Sequence, residues 1–299
     1  MNAPTLNELQ EFTLDHYINL IRYLQQNYRI IPFCDVRYED TPYLILRHDI
    51  DFSLRDALTM AKIEKDLGVR STYFVLLSTQ AYNLFEGENI AILKQISEFG
   101  HEIGLHYNPA QYRLYNQNFE KTLKIETQLL ENYLGKTVHS ISRHGLFDRD
   151  PFSTTKQYIN ANHPYLRADL FVHDSDRAWV TLDGLSILLN DPPKRCQLLI
   201  HPDNWQKDKV TREALLERHF QVLENEIQDA KKSLYEVIKQ DTLVINYDNA
   251  IKNGNLEQFS NKNAPKFKSN LSRRALFRYY LLHSKFGWNL QKLRNKIKR

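Results

Sequence analysis

The run Tyr43–Asp51 (YLILRHDID) ends an apolar stretch in Arg47, His48, Asp49 and Asp51. Polar groups of this kind are costly to bury unless they are paired or bind a metal. Many α/β enzymes present a site as buried strands that deliver histidines and carboxylates from their C-terminal ends. Alternate side chains of an extended chain share a face, so Arg47, Asp49 and Asp51 point together while His48 points away with Leu46. Two carboxylates on one face beside an arginine can divide two tasks, one holding a metal and the other taking a proton. The same residues can equally form a structural Arg–Asp network at a strand end.

Other segments repeat the pattern. In GHEIGLHYNP, residues 100–109, His101 and His106 fall on opposite faces of a strand, so they do not serve one ion. His106, at the C-terminal end, is the better ligand, and His101, beside the Gly100 turn, reads as structural. QLLIHP places His201 after a strand, and SISRHG places Arg143 and His144 after another. HDSDRAW adds His173, Asp174, Asp176, Arg177 and Trp179. That segment reads equally well as part of a site or as a solvated loop.

The elements that must position these residues alternate. Apolar residues at three- and four-residue steps predict a helix over 5–28. A strand is expected at 43–48, a helix from the Ser53 cap to Leu67, and a strand at 71–77. A helix over 88–99, a strand over 102–106, a helix over 118–134 and a strand over 138–142 follow. Further on, the pattern predicts a short helix near 151–160 and strands at 165–171, 185–190 and 197–201. A long polar helix is expected over 211–240 and a strand at 242–247. Strands alternating with helices imply parallel βαβ units in an α/β sheet or barrel.

Composition narrows the class. A hydrophobic fraction of 42% and a charged fraction of 25% are ordinary for a globular protein. Cys34 and Cys196 are too few and too far apart for a cysteine-based metal site, and a reduced setting is the simpler reading. No basic start followed by an apolar core opens the chain, and no run approaches the ~18 apolar residues of a membrane span. A cytoplasmic protein is therefore expected. Charge is uneven: Lys262 to Arg299 holds twelve Lys and Arg with no acid, leaving the preceding residues with eight more acidic than basic groups. Residues 270–299 read as a basic helix rich in aromatic and apolar side chains. Such a helix either lies on an anionic membrane surface or docks on the acidic body. Nucleic acid is not expected, since no recognition motif accompanies the charge. The expected division is a barrel over 1–250 and a linker with the basic amphipathic helix over 251–299.

In order and spacing, RHDID, GHEIGLH, SRHG, HDSDRAW and LLIHP resemble the motifs of the polysaccharide deacetylase family, metal-dependent carbohydrate esterases of the nodulation-factor deacetylase type. The resemblance covers about residues 43–205. It is narrower to the branch with Arg-His-Asp-x-Asp, associated with surface-polysaccharide and O-antigen biosynthesis. It implies a distorted (β/α)7 barrel, here with an N-terminal helix and a C-terminal helical basic tail, and a divalent metal, usually zinc. By resemblance Asp49 is the base, Asp51 and His106 are metal ligands, His201 protonates the leaving amine, and Arg143 orients the base. Trp179 and Asp174 would shape the pocket around the acid. Ile50 separates two aspartates that are usually adjacent in the family, so the roles of Asp49 and Asp51 could be exchanged. Where the family has a second metal histidine this chain has Ala110, so the third ligand would be His144 or, through its amide oxygen, Asn108.

The expected activity is removal of an N-acetyl group from an amino sugar, nucleotide- or lipid-linked, in surface-polysaccharide biosynthesis. Alternatives are an inactive carbohydrate-binding or assembly protein that keeps the barrel, and a deformylase or O-deacetylase.

Overall fold

Every strand ladder among the described residues runs parallel. The computed structural model describes residues 2–36, 42–114, 116–145, 151–152, 155–167, 169–179 and 182–252. Two short helices, α1 (Leu6–Leu9) and α2 (Leu14–Leu24), precede β1 (Arg29–Ile31) and β2 (Tyr43–Ile50). Then come α3 (Leu54–Asp66), β3 (Thr72–Val75), α4 (Gly87–Glu98), β4 (Glu102–Tyr107), α5 (Pro109–Leu114), α6 (Phe119–Leu134) and β5 (Ser140–Arg143). Strands β6 (Ile159–Asn160) and β7 (Leu170–His173), helix α7 (Leu182–Asn190), strand β8 (Arg195–Ile200) and helix α8 (Arg212–Lys252) complete the order.

Seven strands follow one path, β6-β5-β4-β3-β2-β8-β7, with β1 added beside β2. The sheet curls into a distorted barrel, because Arg47 of β2 reaches across the interior to the Ser142 hydroxyl on β5, three strands away, at 2.5 Å. No ladder joins β6 to β7 among the described residues. Gln197 of β8 spans that seam, its amide donating to the Ala161 and Leu166 carbonyls. The interior is narrow at Gly104, where a Cβ would lie 2.4 Å from the Phe74 ring and 2.9 Å from the Ser140 carbonyl.

Alternation along β2 sorts its residues. Leu44, Leu46 and Ile50 face outward into cores shared with α2, α3 and α7, while Tyr43 and Ile45 join Phe33 and Phe74 inside. Full burial of each such leucine contributes about 1.5–3 kcal/mol. Helix ends follow local chemistry. Ser53 and Asn118 accept hydrogen bonds from the third residue of α3 and α6, and Gly135 ends α6 in a left-handed conformation (φ 68°).

Four expectations need correction. The N-terminal helix is two helices, because Phe12 adopts φ 51° and Thr13 caps a new start. The described residues of 151–160 form a turn at 151–152 and bends at 156–158 that lead into the short β6, rather than a helix. Residues 185–190 are helical: Leu185, Leu188 and Leu189 are buried while Ile187 is exposed, the three-to-four spacing of a helix within a run too apolar to show it clearly. Residues 242–247 continue α8. A fifth is shifted: the strand expected at 165–171 begins only at Leu170 and runs on to His173 as β7.

The chain divides into two units, Met1–Ile227 and Gln228–Arg299. The first holds the barrel and the opening turns of α8, and the described part of the second is the remainder of α8. The basic segment 270–299 lies outside the described residues. Among the described residues no helix is long and apolar enough to cross a membrane.

Candidate functional site

The C-terminal ends of the strands open into a pocket of about 910 Å³. Its floor is built from β2. Asp49 is buried and gripped by Arg47, two positions earlier on the same face, with Nε donating to Oδ1 at 2.9 Å and Nη2 to Oδ2 at 2.7 Å. Such a bidentate pair is geometrically specific. Burial opposes charge on Asp49, but Arg47 and His106 outweigh it and hold the carboxyl below its usual range.

Asp51 stands one step further along that face. Its Oδ1 lies 3.3 Å from His106 Nε2 and 3.2 Å from His144 Nδ1, and the two ring nitrogens are 3.2 Å apart. His106 Nδ1 is 3.1 Å from the Ser142 carbonyl, which can only accept, so the neutral ring carries its proton there and turns the Nε2 lone pair inward. Asp51 Oδ1 is a buried oxygen without a hydrogen-bond partner of good geometry. That orphaned oxygen facing two imidazole nitrogens is a donor set that fits a divalent ion. Zinc bonds of about 2.0–2.1 Å place tetrahedral ligand atoms about 3.3–3.4 Å apart, close to all three separations here. Burial opposes the charge on Asp51, while His106, His144 and His201 overcome it and depress the carboxyl well below its ordinary range.

The opposite wall carries His201. Its Nδ1 lies 2.7 Å from Asp174 Oδ1, which also accepts from the His201 backbone N–H. Its Nε2 faces the pocket, 3.8 Å from Asp51 Oδ2. Burial lowers the imidazole's proton affinity, but Asp174, with Asp51 and Asp49, reverses this and pushes it up to about 10. Asp174 is fully buried and is further held by the Trp205 indole at 2.9 Å. Asp203, two residues on, lines the same wall, and burial pushes its carboxyl up to about 7 against the opposing pull of His201.

The structure thus brings together Asp49, Asp51, His106, His144, His201 and Arg143 at one pocket. Other expected residues stand elsewhere. Asn108 is outside the pocket lining, and its amide oxygen accepts from the Ala110 and Gln111 N–H groups at the start of α5. Ala110 itself is exposed on α5. Trp179 is a core residue, packed on Phe12 and Trp205 with its indole donating to the Leu9 carbonyl. Asp174 sits behind His201 rather than on the pocket surface. Arg143 lines the pocket, but the grip on Asp49 comes from Arg47. Arg47 two residues before Asp49, and Trp205 four after His201, were the available signals. What they lacked was knowledge of which aromatic and which guanidinium the fold turns inward.

No family model matches the chain, and no curated protein matches it. Solved structures do. The chain is similar to family 4 carbohydrate esterases. One from Bacillus anthracis has 18% identity and a TM-score of 0.35, over 69% of this chain and 86% of that one. A peptidoglycan deacetylase from Bacillus subtilis has 15% identity and a TM-score of 0.36, over 67% of this chain and 98% of that one. A pseudoenzyme of the same esterase family from Bacillus anthracis has 12% identity and a TM-score of 0.37, over 62% of each chain.

Proposed function

We propose that this protein is a metal-dependent hydrolase of the polysaccharide deacetylase kind, removing an N-acetyl group from an amino sugar in surface-polysaccharide biosynthesis. The observation that carries the reading is the orphaned Asp51 oxygen between His106 and His144, with Asp49 and the His201–Asp174 pair on either side. Asp51, His106 and His144 would hold the ion, and a donor set of one carboxylate and two imidazoles suits zinc. When bound, it supplies Lewis acidity, polarising the acyl carbonyl and easing deprotonation of water.

The protein's own groups divide the proton work. Asp49, kept ionised and immobile by Arg47, accepts a proton at the carboxylate. His201, charged and oriented by Asp174, donates from Nε2 to the departing nitrogen, which leaves poorly as an anion. This geometry favours Asp51 as ligand and Asp49 as base. A complete ligand set together with an acid and a base on opposite walls also favours a working enzyme over an inactive binding protein.

The test is acetate release from N-acetylated sugar donors, nucleotide-linked and lipid-linked included, with and without added metal, beside elemental analysis of the purified protein. Stoichiometric metal and metal-dependent acetate release are expected. Absence of both across a broad panel would sink the proposal, and formate release or release from O-acetyl sugars alone would redirect it to another acyl bond.

A further inference from the structure

Two polar atoms among the pocket-lining residues are unmet, and neither belongs to the metal donor set or to the acid–base pair. Asp203 Oδ1, two residues beyond the proton donor His201, is buried and has no hydrogen-bond partner among the described residues. His219 Nε2, in the opening turns of α8, is the other. The Asp203 carboxyl stands close to the chemistry, since His201, Asp51 and Asp174 are the charges that act on it. A buried acceptor left unmet destabilises the fold, so its presence at a pocket points to a donor that arrives with a ligand.

Phe52, the residue after Asp51, adds an apolar surface beside these atoms. Its ring stands edge-on to the His219 imidazole, with centroids 5.4 Å apart and planes at 87°, and the residue remains 42% exposed at the pocket. A cation suits Asp203 poorly as a partner, because it would stand beside His201, whose imidazole Asp174 keeps charged. A hydroxyl brings a donor without a charge. An exposed aromatic ring flanked by unmet polar atoms matches a molecule with an apolar C–H face and a rim of hydroxyls, which is a pyranose ring.

We propose that this wall seats the sugar ring itself, with Asp203 Oδ1 accepting from one ring hydroxyl, His219 Nε2 meeting another, and Phe52 lying against the carbon face. The proposal rests on the reading of the pocket as that of an amino-sugar deacetylase. It adds that the ring hydroxyls are recognised as well as the acyl group, so a sugar lacking the hydroxyl at Asp203 is rejected.

The test is binding of the methyl glycosides of N-acetylglucosamine and N-acetylgalactosamine to the full chain, followed by NMR, beside their 3-, 4- and 6-deoxy analogues. One deoxy analogue should bind the wild type about ten- to a hundredfold more weakly than its parent. That difference should vanish in Asp203→Ala. No binding of either parent, equal binding of parent and all analogues, or the same difference in the variant overturns the inference. Phe52→Ala should weaken both parents about threefold to tenfold, and unaltered binding would remove the ring from the subsite. A purely structural role is separable, because deleting an unmet carboxyl relieves a burial penalty. Asp203→Ala and Asp203→Asn should therefore melt no lower than the wild type, and a clearly lower transition in both would make Asp203 a structural residue and overturn the proposal. Binding is read without turnover, so the two readings fail separately. Discrimination without acetate release counts against the hydrolase alone, and acetate release without discrimination counts against the subsite alone.

Discussion

Strand β2 separates two buried polar networks that share its residues and little else. On the outer face His48 meets Glu64 of α3 at 2.6 Å, and Glu64 also accepts from Ser71 at 2.6 Å, from Tyr73 at 3.0 Å and from Tyr17. His101 closes the group, 3.1 Å from the Ser71 hydroxyl and 2.9 Å from the Ala61 carbonyl. On the inner face Arg47, Asp49, Asp51, His106 and His144 use the same chemical types. The outer network is sealed and its carboxylate is saturated with donors, its unpartnered atom being the His48 Nδ1 ring nitrogen rather than a carboxylate oxygen. The inner one opens to the pocket and leaves a buried carboxylate oxygen without a partner. Saturation makes a buried charge cluster a fastener, whereas an unmet donor set makes it a receptor for an ion.

The largest effect should come from emptying the inner cluster. His106→Ala and Asp51→Asn should abolish metal binding, measured by elemental analysis, and cut kcat/KM by at least about a thousandfold. Melting should change little in Asp51→Asn, whereas His106→Ala also loses the buried bond from β4 to the Ser142 carbonyl on β5 and should melt somewhat earlier. His201→Gln should retain metal and lower kcat by about 10²–10⁴; unaltered kcat would remove His201 from the proton path.

Glu64→Gln should act the opposite way. It should lower stability to denaturant by about 3–5 kcal/mol, by taking the charged acceptor away from His48, Ser71, Tyr73 and Tyr17 in a dry site, with kcat per folded molecule preserved. The outer network also sets an acid response. Burial raises the Glu64 carboxyl, yet the His48 charge and its hydrogen bond pull it down to about 2 from an ordinary 4.5. A depressed carboxyl stabilises the fold fully above its unfolded value and loses that contribution as pH falls through the folded one. Stability should therefore decline between about pH 4.5 and 2, and in Glu64→Gln that part of the decline should vanish. The smallest effects belong to residues outside both networks. Asn108→Ala should cost about 1 kcal/mol through the lost cap and leave kcat/KM unchanged, and a clear fall in kcat/KM would return Asn108 to the site.

Much of this was legible in the sequence wherever one element sufficed. The period-two rule separates Arg47, Asp49 and Asp51 from His48 whatever the rest of the fold does, because strand geometry is local. The caps at Ser53 and Asn118 and the stop at Gly135 are local for the same reason. The strand at 185–190 failed for the converse reason: in a fully apolar run the periodicity that distinguishes helix from strand is faint.

The sequence by itself thus determined the order of strands and helices from β2 to β5 and the set of polar groups that the strand ends deliver. Only the tertiary structure decided how those groups pair. It chose Arg47 over Arg143 to grip Asp49, Trp205 over Trp179 to hold Asp174, and His144 over Asn108 to stand beside His106 and Asp51. Each choice turns on distances between residues from different elements. Those distances depend on how far the sheet curls, and the curl arises from packing across the whole barrel rather than from any one segment.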